Sequence, residues 1–113
     1  MSNPPVRRLP EACNSMEELR VEIDRIDAEL VGLIAERARF IDRAIVLKQR
    51  DRLPAYIPER VEEVVANVRR LAGDLGAPEH VVETVWRVMI DEFIAIESGR
   101  LAGAATAPDV PRR

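Results

Sequence analysis

Two cations stand where an apolar seam calls for leucine. Leu19, Ile23, Ile26, Leu30, Leu33, Phe40, Ala44 and Leu47 recur with alternating four-three spacing, the pattern of a coiled-coil or bundle helix. Arg37 falls inside that series, between Leu33 and Phe40. Lys48 lies 11 residues after Arg37, only ~20° away around a helix. Arg39, Arg43 and Arg50 lie roughly 200–240° from Arg37 by the same arithmetic, so they read as a solvated face. A third charge, Glu97, sits four residues beyond Phe93 on another apolar stripe. Arg60, in a further helical segment, is the fourth candidate. A charge facing an apolar interior must be paired or must meet a ligand. Two readings stay open. Glu97 neutralises Arg37 or Lys48 as a structural ion pair, or the cations hold an anion. A small dicarboxylate suits the second, because guanidinium groups bind carboxylates through paired hydrogen bonds.

Arg20 passes the same test only with help. It lies 17 residues before Arg37, ~25 Å along the helix, too far to share a small pocket in its own chain. In an antiparallel pairing of two first helices, Arg20 of one chain approaches the pocket of the other. Alone, it is a surface arginine. His80, the single histidine, reads as a surface residue and makes no metal site by itself. Cys13 has no base partner, and Trp86 at helical spacing reads as core. No glycine-rich phosphate loop, metal-ligand cluster or nucleophile–base pair is visible, so neither a metal nor a cofactor is expected.

Three helices must position these residues. Ser15 and Glu18 form a Ser-x-x-Glu capping signature, and Leu53-Pro54 stops the first helix near Arg52. Residues 53–57 connect. Pro58 reads as a first-turn proline, and helix 2 is expected to end near Leu71 or Ala72, with Gly73 and Gly76 as stops. Pro78 starts helix 3 as another first-turn proline. Its stripe is Val82, Val85, Trp86, Met89, Ile90, Phe93 and Ile94, and Gly103 is its expected end. Residues 1–14 read as a loose arm, 15–101 as the helical domain, and 102–113 as a disordered tail. No strand pattern and no repeat appear.

A 38-residue first helix is ~57 Å long, whereas a compact 100-residue domain has a radius of gyration of ~13 Å. The 113-residue chain cannot cover that helix alone. Its seam calls for a second chain, most simply in a two-fold homodimer. The net charge of −3 and pI near 5.3 argue against a nucleic-acid binder. One cysteine fits a reduced, cytoplasmic setting. No apolar run is long enough to span a membrane, and no secretory leader pattern is visible.

The string LRVEIDRIDAELVGLIAERARF, followed by Lys48 and PERV, resembles the all-α chorismate mutase family, which includes isochorismate-pyruvate lyases. The resemblance covers about residues 16–98, and the joint spacing of Arg20, Arg37, Lys48 and Arg60 makes it specific. It implies an intertwined homodimer of three-helix chains with two shared active sites. Arg37 and the second chain's Arg20 would hold the two carboxylates of chorismate. Lys48 would donate to the ether oxygen, Arg60 would sit at the ring side, and Phe93 would line the pocket. Glu97 occupies a position where many members carry glutamine, the second donor to that oxygen. The rearrangement to prephenate is intramolecular, so it needs a held chair-like conformer and cations at the developing negative charge. A glutamate donates only when protonated, so the rate is expected to fall as pH rises through the titration of Glu97.

Two positions depart from the typical pattern. A glutamate that binds the ring hydroxyl is replaced by Val61, and an acid three positions before Arg60 is replaced by Ile57. Both look more like the lyase branch, and both are compatible with 4-amino-4-deoxychorismate as substrate. The mutase reading is favoured because the carboxylate and ether-oxygen groups are all present. The rival from another class is a catalytically silent helical dimerisation module.

Overall fold

The computed structural model describes residues 7–106. Three helices carry it: α1 (Met16–Asp51), α2 (Pro58–Leu75) and α3 (Glu79–Thr106), after a short 3₁₀ turn at Pro10–Ala12. The described residues contain no strand, so the expected all-α chain with a long first helix is what forms. None of these helices is long and apolar enough to cross a membrane.

Each helix end has a local cause. The Ser15 hydroxyl accepts the Glu18 N–H at 3.1 Å, which satisfies one of the free amides of the first turn. The Glu18 carboxylate returns to the Asn14 N–H at 2.8 Å, one residue earlier than a standard capping box. At the other end of α1, the Leu53 N–H reaches back to the Lys48 carbonyl at 2.8 Å and the Arg52 N–H to the Gln49 carbonyl at 3.4 Å. This is a Schellman closure, with Arg52 left-handed at φ 56°.

α2 outruns its expected end. It continues through Gly73 and stops at Gly76, where φ is 75° and the N–H meets the Ala72 and Gly73 carbonyls. Glycine inside a helix costs about 1 kcal/mol, but it keeps its N–H, and Ala72 beside it is buried. Only Gly76 sits where the chain needs a positive φ. α3 likewise passes Gly99 and Gly103 and runs to Thr106, so residues 102–106 are helical rather than tail. Residues 107–113 lie outside the described residues. Pro78 supplies the first acceptor of α3, bonded by the Val82 N–H at 3.1 Å, and therefore caps the helix rather than opening it.

The chain divides into two compact units, up to Phe40 and from Ile41 onward. In the second unit, Ile45, Ala55, Val65, Ala72 and Ile90 are buried, each large aliphatic one stabilising by about 1.5–3 kcal/mol. Trp86, expected in the core, is half-buried. Ion pairs flank the α2–α3 contact. Arg87 of α3 donates to both Glu62 oxygens at 3.1 Å and to Glu83 at 2.8 Å, and Arg69 of α2 also pairs with Glu83. Hydrogen bonds from Arg87 hold the Glu62 and Glu83 carboxyls below the usual range, Arg69 adding to the effect on Glu83. Because the folded values are depressed, the stability they contribute is present above the unfolded carboxylate value, ~4.3, and is lost as pH falls through the folded ones. The thermal midpoint is therefore expected to drop on acidification below about pH 4, and Arg87→Met should flatten that drop, read by circular dichroism melts.

In the first unit, the described part of the segment before α1 makes polar contacts with that helix. The Arg8 N–H donates to Glu22 at 3.3 Å, and the Arg8 guanidinium pairs with Glu18 at 3.4 Å. Arg7 pairs with Glu29 at 3.2 Å. Glu22 is buried and also accepts from Arg25 Nε at 3.1 Å, so the arginines repay the cost of desolvating it. Residues 1–6, also assigned to a loose arm, fall outside the described residues. The α1 seam in this unit is bare in the single chain: Ile23, Ile26, Leu30, Leu33 and Phe40 are 45–69% exposed.

Candidate active site

Lys48 is the best-defined polar group of the second unit. It stands in the last turn of α1, and its Nζ donates to Glu97 Oε1 of α3 at 2.8 Å. The same ammonium donates to the Ala55 carbonyl of the connector at 2.9 Å. The Glu97 side chain is 5% exposed and that of Lys48 18%. A charge-assisted bond of this length in a drained setting is strong. It also means that the Glu97 oxygen facing Lys48 accepts. To donate to a ligand, Glu97 must carry a proton on its other oxygen.

The helices explain the meeting. Glu97 follows Ile90 and Phe93 on the stripe of α3, so packing that stripe carries the carboxylate inward. Three residues further on, Arg100 of α3 pairs with Asp42 of α1 at 2.7 Å. That second bond ties the same two helices beside the Lys48–Glu97 pair. No spacing in the sequence marks either residue, and both remain more than half exposed.

The other candidates are distributed as follows. Arg37 belongs to the first unit and is half-buried; Arg20, in the same unit, is exposed. Arg60 is exposed and its guanidinium lies on Glu63, one turn along α2. Ile57 caps α2 without a side-chain bond, and Ile57, Val61 and Phe93 are half-buried. The structure thus joins Lys48 to Glu97 within one chain and leaves Arg20 on the surface. No group of histidine, cysteine and acidic side chains among the described residues is arranged to hold a metal.

An apolar-stripe lysine locked to a buried glutamate on a third helix is the geometry to set against known proteins. The model of the family "Chorismate mutase type II" matches residues 19–98, most of the chain. The chain belongs to the chorismate mutase type II family.

Among its relatives in that family is the bifunctional chorismate mutase/prephenate dehydratase of Aquifex aeolicus, 33% identical over 85 residues, covering 73% of this chain and 24% of that protein. The chain is 28% identical over 106 residues to the 4-amino-4-deoxychorismate mutase of Streptomyces pristinaespiralis, covering 93% and 82%. It is 30% identical over 89 residues to the isochorismate pyruvate lyase of Pseudomonas aeruginosa, covering 78% and 86%. The chain thus spans about a quarter of the Aquifex protein's length but most of the other two. No solved structure matches it. Within the chorismate mutase type II family, Lys48 and Glu97 both fall inside the matched region, as do Arg20, Arg37 and Arg60.

Proposed function

We propose that the protein is a chorismate mutase, rearranging chorismate to prephenate in a site shared between two chains. The observation that carries the reading is the Lys48 ammonium, fixed 2.8 Å from the buried Glu97 inside a chorismate mutase type II chain. Lys48 and a protonated Glu97 flank the ether oxygen as its C–O bond breaks and negative charge grows there. Arg37 and the second chain's Arg20 grip the two carboxylates and hold the folded conformer, which removes much of the entropic barrier. Arg60 leaves Glu63 to face the ring side, and Ile57, Val61 and Phe93 complete an apolar wall. No covalent intermediate, metal or redox cofactor enters this step. The bare seam of α1, from Ile23 to Phe40, supports the homodimer, since an exposed apolar stripe of that length calls for a partner. A cytoplasmic setting accords with the lone Cys13.

A lyase reading has its own support: Ile57 and Val61 are apolar where a ring hydroxyl would want an acid. Separate incubation with chorismate, isochorismate and 4-amino-4-deoxychorismate decides. Loss of chorismate absorbance with prephenate formed upholds the mutase. Pyruvate and salicylate from isochorismate alone replace it with the lyase, and turnover of the amino compound alone replaces it with that substrate. If none of the three turns over, the chain is a silent dimerisation module.

The role of Glu97 is separately testable. A carboxyl donates only when protonated, so with glutamate kcat should be lower at alkaline than at acid pH. Glu97→Gln donates at any pH, so its pH–rate profile should be flat over that range. An unchanged profile in the variant removes Glu97 as the second donor.

A further inference from the structure

We propose that the left-handed turn at Arg52 is a positioning device for the Lys48 ammonium, acting through the connector that it launches. This rests on Lys48 being the donor to the reacting oxygen. Arg52 is the one non-glycine with positive φ among the described residues, at 56°. A left-handed conformation is unfavourable for an ordinary residue, and such strain persists only where surroundings over-determine it. The surroundings here are the two ends of Lys48. Its carbonyl accepts the Leu53 N–H at 2.8 Å, and its Nζ donates to the Ala55 carbonyl at 2.9 Å. The chain therefore leaves α1 at Arg52, bends back, and places the backbone carbonyl of buried Ala55 over the side chain of Lys48, seven positions earlier.

The consequence is directional. An ammonium has three N–H bonds. A lone partner such as Glu97 lets the group spin about its Cε–Nζ bond and swing on a flexible stem. Two partners on different elements, Ala55 and Glu97, fix the nitrogen and two of its hydrogens. Tetrahedral geometry then sets the third N–H direction, which among the described residues has no acceptor. That hydrogen is the one aimed at a ligand. Ala55 acts by its backbone, so no side-chain pattern announces it, and Arg52 acts by shaping the backbone.

A substitution series separates conformation from charge. Arg52→Gly and Arg52→Asn remove the charge but tolerate positive φ, whereas Arg52→Val is β-branched and resists it. In the full-length protein, Gly and Asn should keep kcat within about two-fold, while Val should lower kcat by at least ~10-fold, since misplacement by ~1 Å can cost ~100-fold. KM should move little, because the carboxylate-holding arginines are untouched. ¹⁵N NMR of the Lys48 ammonium supplies a readout independent of turnover: a slowly exchanging signal in the wild type, Gly and Asn forms, lost in Val. If Gly loses as much kcat as Val, the guanidinium charge matters and the proposal is overturned. It also fails if Val keeps both kcat and the ammonium signal, or if the wild-type ammonium shows no protected signal. Wild-type protein with that protected signal but no turnover of any chorismate-type substrate leaves the device standing and sinks only the proposed activity. Should Val fail to fold, Arg52→Thr, with the same branching and a polar tip, takes its place.

Discussion

Lys48→Met is expected to abolish turnover and to destabilise the fold, and the second effect should be reversible without the first. Removing a preorganised donor from developing negative charge costs about 10²–10³-fold in kcat. The stability loss has a different origin. Without Lys48, the Glu97 carboxyl, 5% exposed, stays buried without the partner that satisfies it. Breaking a buried pair costs roughly 3–5 kcal/mol, and the lower end applies because the Lys48 side chain retains 18% exposure. The double variant Lys48→Met/Glu97→Leu removes both charges and fills the space with apolar atoms, so it should recover most of that stability. Its kcat should stay at the level of the single variant. Denaturant titrations and a chorismate assay read the two quantities side by side. A single variant that loses stability but keeps turnover makes the pair a structural ion pair and nothing more, which is the reading of a dimerisation module.

Two inactive proteins mixed together should regain activity. If each site takes Lys48 from one chain and Arg20 from the other, Arg20→Ala and Lys48→Ala homodimers are both dead. Exchange between them yields mixed dimers in which one site is doubly defective and the other intact. With random pairing, about a quarter of all sites are whole, so about a quarter of wild-type activity should return once chains have exchanged. The helix arithmetic makes the test sharp: ~25 Å separates Arg20 from Arg37 on one straight helix. No recovery after proven exchange would place Arg20 outside the site. The same geometry predicts that Leu30→Lys/Leu33→Lys, on the bare seam, gives a monomer. Light scattering should then read the mass of one 12.7 kDa chain, with activity lost alongside.

Much of this was written in local pattern. Four-three spacing of apolar residues draws a helix whatever lies beside it, because the period belongs to the backbone. Ser15 with Glu18 marks its start, and Leu53-Pro54 its end, through bonds and clashes confined to a few residues. Arg37, Lys48 and Glu97 stood out because a charge on an apolar stripe is anomalous within its own segment. Tertiary structure decided what segments cannot. It made Lys48 a hydrogen-bonded partner of Glu97 and brought the Ala55 carbonyl to the ammonium. It carried α2 past Gly73, where a propensity of about 1 kcal/mol yields to packing around the buried Ala72. It gathered Arg7, Arg8 and Arg25 around Glu18, Glu22 and Glu29, charges that look like solvated surface in a linear string. A sequence states which face of each helix shuns water. Which atom ends up against which depends on how those faces close on one another, and that is a property of three helices at once.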